Sequence, residues 1–193
     1  VTSGAFRRVD ERQVHQGYVW RVVVADFVAP DGEAFTRDIV RSPGAVGVVP
    51  IVSDPDGTPS VVLVRQYRPA HELDILEIPA GMRDVPGEPP EVTGHRELVE
   101  EAGLDADTLV PLIDFYPSPG LTDSVCTVFL ATGCRSVPPR AHGPEEAHME
   151  VVRLALADAV AMVAGGEIRD AKTVIGLLLA ERRLATSAGP GVA

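Results

Sequence analysis

Glu97, Glu100 and Glu101 fall within five residues, and Arg96 stands immediately before them. On a helix of 3.6 residues per turn, Glu97 and Glu101 lie one above the other with Glu100 beside them. Like charges stacked this way repel, so a helix selected for stability alone avoids the pattern. Bound divalent cations remove the conflict, because Mg2+ wants oxygen ligands and usually takes one or two carboxylates together with substrate phosphates. The spacing therefore points to metal-assisted chemistry on a phosphate compound.

Local signals place these residues on a helix. Pro89 and Pro90 suit its first turn, where a missing N–H costs little, and Gly103 suits the position just past its end. Ahead of it, residues 13–41 read as strands: one strand over 14–27, a turn at 29–32, and a return over 35–40. Such a hairpin cannot bury both faces alone, so it must lie on the main domain or on a second subunit. Residues 45–52 and 60–68 form a second hairpin, and Arg65 and Arg68 bracket its end, where guanidinium groups could fork onto phosphate or carboxylate oxygens. Residues 76–81 read as a short strand opening into a loop whose backbone carbonyls are further ligands for a hard cation. Beyond the helix, strands are expected at 109–116, 125–131 and 151–156, with a stiff turn at 117–120. A Pro-rich loop over 135–143 delivers a second acidic cluster, with Glu145, Glu146 and Glu150. Asp158 and Asp170 are candidate caps of two late helices, and residues 186–193 read as a tail without fixed structure.

Composition narrows the class. With 45% apolar residues, 193 residues support one domain, or one plus a small appendage. A net charge of −11 with no basic cluster argues against nucleic acid as a partner. It also obliges an enzyme of anionic substrates to supply cations locally. No apolar run approaches the ~18 residues of a membrane span, and no signal peptide is visible, so a cytoplasmic protein is expected. Cys126 and Cys134 lack metal-ligand spacing and read as reduced packing residues. The single lysine, Lys172, against sixteen arginines reads as codon bias of a GC-rich genome. Trp20 reads as a core or interface residue.

The acidic helix and its flanks resemble the Nudix box, G-x5-E-x7-R-E-U-x-E-E-x-G-U with U aliphatic. Here the positions are Gly81, Glu88, Arg96, Glu97, Leu98, Glu100, Glu101, Gly103 and Leu104, with six residues rather than five between Gly81 and Glu88. Further stretches are similar to the ADP-ribose pyrophosphatase branch of that family: Gln66-Tyr67-Arg68, Glu77-Ile78-Pro79-Ala80-Gly81, Pro119-Gly120, and a late Gly166-Glu167-Ile168 before an apolar helix. The resemblance implies an α/β Nudix fold, a mixed sheet sandwiched between helices, with an N-terminal antiparallel β-sheet extension. Residues 1–42 would form that extension and swap it in a homodimer, 43–185 would form the hydrolase domain, and 186–193 a disordered tail.

The resemblance also implies roles. Glu97, Glu101 and the Ala80 carbonyl would hold Mg2+ or Mn2+, with Glu100 close by. Arg96 would orient the glutamates and Glu88 would brace the loop. Glu146 would be the catalytic base, with Glu145 as its alternate. Arg41, Arg65, Arg68, Glu77, Pro119 and Gly120 would meet a small nucleoside diphosphate substrate. Relatives often carry an acidic residue where this chain has His148, and a glutamate within the stretch that here reads Leu121-Thr122-Asp123-Ser124. The implied reaction is hydrolysis of ADP-ribose to AMP and ribose 5-phosphate. The alternatives are another nucleotide sugar or a dinucleotide, or a non-catalytic ADP-ribose sensor. Such sensors typically lose box glutamates, and this chain keeps them.

Overall fold

The computed structural model of the chain describes residues 4–138 and 148–187. They fall into two compact units, one from the described residues of 1–44 and 116–125, the other from those of 45–115 and 126–193.

The first unit holds an antiparallel sheet in the order β1 (Arg7–Gln16), β2 (Arg21–Val28), β3 (Ala34–Arg41). The expected single strand over 14–27 is in fact broken. The Gly17 N–H donates to the Trp20 carbonyl at 2.8 Å, and this turn separates β1 from β2. Strand β1 escapes a sequence reading because nearly all its side chains are exposed, so burial imposes no alternation on Arg7-Arg8-Val9-Asp10-Glu11-Arg12. Cross-strand partners Phe27 and Phe35 stack at 5.3 Å, and Phe6 meets Phe35 edge-on at 6.0 Å. Trp20 is half-exposed rather than in the core. Within the same unit, the Val40 N–H donates to the Leu121 carbonyl at 2.9 Å.

The second unit is a mixed sheet flanked by helices. Its elements in chain order are β4 (Ala45–Ser53), β5 (Pro59–Arg68), β6 (Leu73–Glu77), β7 (Ala80–Met82), α1 (Pro90–Ala102), β8 (Leu104–Asp105), β9 (Thr108–Phe115), β10 (Cys126–Thr132), β11 (Arg135–Ser136), β12 (Glu150–Ala155), α2 (Leu156–Gly165) and α3 (Ala171–Ser187). The strand order is β12-β5-β4-β10-β9, with β6 beside β5 and β7 beside β4; β4 and β10 run parallel and the other pairs antiparallel. Period-two alternation sends Val49, Ile51, Val61, Leu63, Val128 and Leu130 to one face, where they pack with Leu156, Ala159, Leu177 and Ala180 of α2 and α3. Val46, Val48, Val62, Phe129 and Ala131 go to the other face and pack with Leu98 and Ala102 of α1. Each fully buried aliphatic side chain contributes on the order of 1.5–3 kcal/mol. The result is a helix–sheet–helix sandwich.

The strand expected over 76–81 is two strands. Pro79 has no N–H to donate, and the Ile78 N–H leaves the sheet to bond Thr173 Oγ1 at 2.9 Å. Helix α2 starts directly from β12, so Asp158 lies in its first turn rather than at its cap. Helix α3 runs through Ser187, into the segment read as a tail. Among the described residues no helix is long and apolar enough to cross a membrane. Cys126 is buried, Cys134 is partly so, and both are free; burial pushes both thiols up to about 11.

Candidate active site

Helix α1 begins with Pro90 after an extended Pro89 and ends at Gly103, whose φ of 60° is left-handed and easily adopted by glycine. Its buried face carries Thr93, Gly94, Glu97, Leu98 and Ala102. Glu97 thus places one carboxylate on the packed face of the helix. Next to it, Gly81 of β7 faces Glu97 so closely that a Cβ built there would overlap the carboxylate. No other residue fits this position without displacing Glu97.

Arg96 gathers the surrounding charges. Its Nη1 lies 2.6 Å from Glu97 Oε1 and 3.1 Å from Glu100 Oε2. Its Nη2 lies 3.5 Å from Glu88 Oε2 and 3.9 Å from Asp84 Oδ1. Glu88 also accepts a hydrogen bond from Thr93 Oγ1 at 2.7 Å, which ties the loop before the helix to its first turn. Glu101 turns the other way and accepts the Ala80 N–H at 2.8 Å. Burial pushes the Glu101 carboxyl up to about 8; the Ala80 N–H opposes this, and the charge of Glu97 adds to it. The cluster therefore carries the repulsion that its spacing implies.

A second network lies behind the loop. Glu77, 1% exposed, receives Arg68 as a fork, Nε at 2.6 Å and Nη2 at 2.8 Å, and is also paired with Lys172. Burial pushes its carboxyl up, but Arg68 and Lys172 outweigh burial and hold it below the ordinary value. Lys172 Nζ also lies 3.0 Å from Asp170 Oδ2, which accepts the Thr173 N–H at 3.0 Å and caps α3.

Ala80, Glu88, Arg96, Glu97, Glu100 and Glu101 are thus brought together at the α1–β7 edge. Arg68 and Glu77 are engaged with each other. Arg65, on the exposed side of β5, reaches Glu150 at 3.2 Å. Arg41 belongs to the first unit, paired there with Glu11 and, at 3.0 Å, with Asp123. Pro119 and Gly120 also belong to that unit, at the corner of a turn closed by the Leu121 N–H donating to the Ser118 carbonyl at 2.9 Å. Glu145 and Glu146 lie outside the described residues. Lys172 and Thr173 were missed as functional positions. The one lysine among sixteen arginines was the available signal, and it reads as codon bias until Glu77 is seen beside it.

The donor set suits a hard divalent cation. It is all oxygen, it gathers glutamates whose mutual repulsion a cation would relieve, and it is kept open by a glycine where any side chain would intrude. Among the described residues no three Asp, Glu, His or Cys side chains converge at metal-binding geometry. Here Glu97 and Glu100 face Arg96, and Glu101 faces Ala80.

Comparison with known proteins agrees with this architecture. A family profile described as the NUDIX domain matches residues 41–175. The ADP-ribose pyrophosphatase of Bacillus subtilis (strain 168) is 36% identical over 171 residues, covering 89% of this chain and 90% of that protein. The GDP-mannose pyrophosphatase of Citrobacter koseri is 35% identical over 123 residues, 60% of this chain and 63% of that protein. A crystal structure described as an ADP compounds hydrolase superposes with a TM-score of 0.81, at 23% identity and 98% coverage of both chains, and so shares the fold. With its box residues clustered on α1 and β7 of a helix–sheet–helix sandwich, the chain belongs to the Nudix family of hydrolases.

Proposed function

We propose that this Nudix hydrolase cleaves the diphosphate link of a nucleoside diphosphate sugar, with ADP-ribose as substrate and AMP and ribose 5-phosphate as products. The observation that carries the reading is the intact carboxylate cluster, Glu97, Glu100 and Glu101, set against Gly81 and Ala80. The similarity to a Bacillus subtilis ADP-ribose pyrophosphatase along nearly the whole chain supports the substrate.

Glu97, Glu101 and the Ala80 carbonyl, with Glu100 nearby, would hold Mg2+ or Mn2+. Bound there, such ions supply charge neutralisation of the diphosphate and activation of a water. Arg96 keeps the glutamates apart and aimed, and Glu88 with Thr93 holds the loop against α1. The Arg68–Glu77–Lys172 network fixes the strand that leads into Ala80. The proton of the attacking water goes to a carboxylate of the late acidic cluster, with Glu146 proposed as base and Glu145 as alternate. Arg65, Arg41, Pro119 and Gly120 are proposed to meet the substrate.

The GDP-mannose pyrophosphatase among the relatives favours a second reading, the same chemistry on another nucleotide sugar. A coupled assay separates them. Purified protein with Mg2+ is offered ADP-ribose, GDP-mannose and a dinucleotide, and a phosphatase releases phosphate from the monoester products. A lead of about tenfold or more for ADP-ribose, ~1.4 kcal/mol of discrimination, supports the assignment. A different leading compound discards the substrate and keeps the chemistry. Binding without turnover across the panel discards both.

A further inference from the structure

Four arginines are paired with carboxylates: Arg41 with Glu11 and Asp123, Arg65 with Glu150, Arg68 with Glu77, and Arg96 with the box glutamates. Arg83 is different. Among the described residues it has no ion pair, and its Nε, like Nε and Nη2 of Arg96, is buried without a hydrogen-bond partner. A buried guanidinium nitrogen on a residue with no ion pair calls for a physical reason.

Arg83 lies in the chain between two fixed points. Gly81, two residues earlier, faces Glu97 at closest approach. Asp84, the next residue, comes within 3.9 Å of Arg96 Nη2. Arg83 follows directly on β7, so its backbone lies at the entrance of the carboxylate cluster, between the residue that faces Glu97 and the one that approaches Arg96. Arg96 already takes up Glu97, Glu100 and Glu88 there, and Arg83 is left without a partner.

We propose that Arg83 is a diphosphate-binding residue, whose guanidinium holds a phosphate oxygen of the substrate at the mouth of the carboxylate cluster. The inference rests on the diphosphate reading above and adds, in a protein of net charge −11, a cation that has no carboxylate partner of its own among the described residues. A guanidinium presents a planar fork of donors that matches phosphate oxygens and stays charged at any working pH. The sequence pattern conceals this role, because the position lies inside the box loop but outside the fixed letters of the motif.

The test titrates inorganic pyrophosphate with Mg2+ into the wild-type protein and into Arg83→Gln and Arg83→Lys, by calorimetry, with Tm recorded for each. Pyrophosphate affinity is expected to fall about tenfold or more in Arg83→Gln, in the range of a lost charge-assisted contact. Arg83→Lys is expected to recover part of it, with Tm near wild type in both. In turnover, the loss in Arg83→Gln falls on KM more than on kcat. Wild-type affinity in Arg83→Gln overturns the inference, as does a wild-type protein that binds no pyrophosphate. Equal losses in both variants with a lowered Tm also overturn it, since they mark a loop support. A wild-type protein that binds pyrophosphate through Arg83 yet cleaves no nucleoside diphosphate sugar leaves the inference standing and removes the proposed function alone.

Discussion

Glu101 shows most directly how one residue joins stability to function. Its carboxyl is pushed up to about 8 by burial and by Glu97, against an ordinary 4.5. A carboxyl whose pKa is higher folded than unfolded binds more protons when folded, so it favours folding below 4.5 and costs stability as pH rises toward 8. The metal-free wild-type protein is therefore expected to lose Tm between pH 5 and 8 more steeply than Glu101→Gln, which cannot ionise. Adding Mg2+ should raise the Tm of the wild type at pH 8 and leave that of Glu101→Gln nearly unmoved. Parallel Tm profiles in the two proteins would contradict this. The residues of α1 were legible in the sequence because their geometry is local: one helical register brings Arg96, Glu97, Glu100 and Glu101 together. Lys172 was not legible, since its partner Glu77 is 95 positions away and nothing local reports the pairing.

Among the elements, α3 positions the site from behind. Its Thr173 accepts the Ile78 N–H and is itself held by the Asp170 cap, so the first turn of the helix fixes the bend between β6 and β7 that presents Ala80. Thr173→Val keeps the shape but leaves the buried Ile78 N–H without an acceptor, at a cost of about 1–3 kcal/mol. Denaturant unfolding should register that loss, and the metal-dependent activity should fall with it through Ala80. An unchanged unfolding midpoint would contradict the assignment. Strands β4, β5 and β10 could be read from their apolar runs, because both of their faces are buried. Strand β1 could not, since its exposed side chains carry no period. The break at Ile78-Pro79 needed Thr173 to explain where the Ile78 N–H goes.

For the whole molecule, the charge balance and the N-terminal sheet set the remaining expectations. Phe6, Val9, Val14, Tyr18 and Trp20 are exposed in the first unit. This suits the proposed homodimer, and sedimentation should give twice the 20.5 kDa of one chain. A single-chain mass at micromolar concentration would contradict it. Glu77 adds an acid limit. Its carboxyl sits below the ordinary value, so the stability it contributes is present above about 4.5 and is lost as pH falls through its lower folded pKa. The reaction products report whether the α1 carboxylates direct metal-dependent cleavage of a diphosphate. ADP-ribose is incubated with the protein and Mg2+ and the products are resolved by chromatography, in parallel with Glu101→Gln. Equimolar AMP and ribose 5-phosphate are expected from the wild type, with the rate abolished by chelation and reduced by about two orders of magnitude or more in the variant, the scale of a lost electrostatic catalytic group. Cleavage that survives both chelation and Glu101→Gln would contradict the claim.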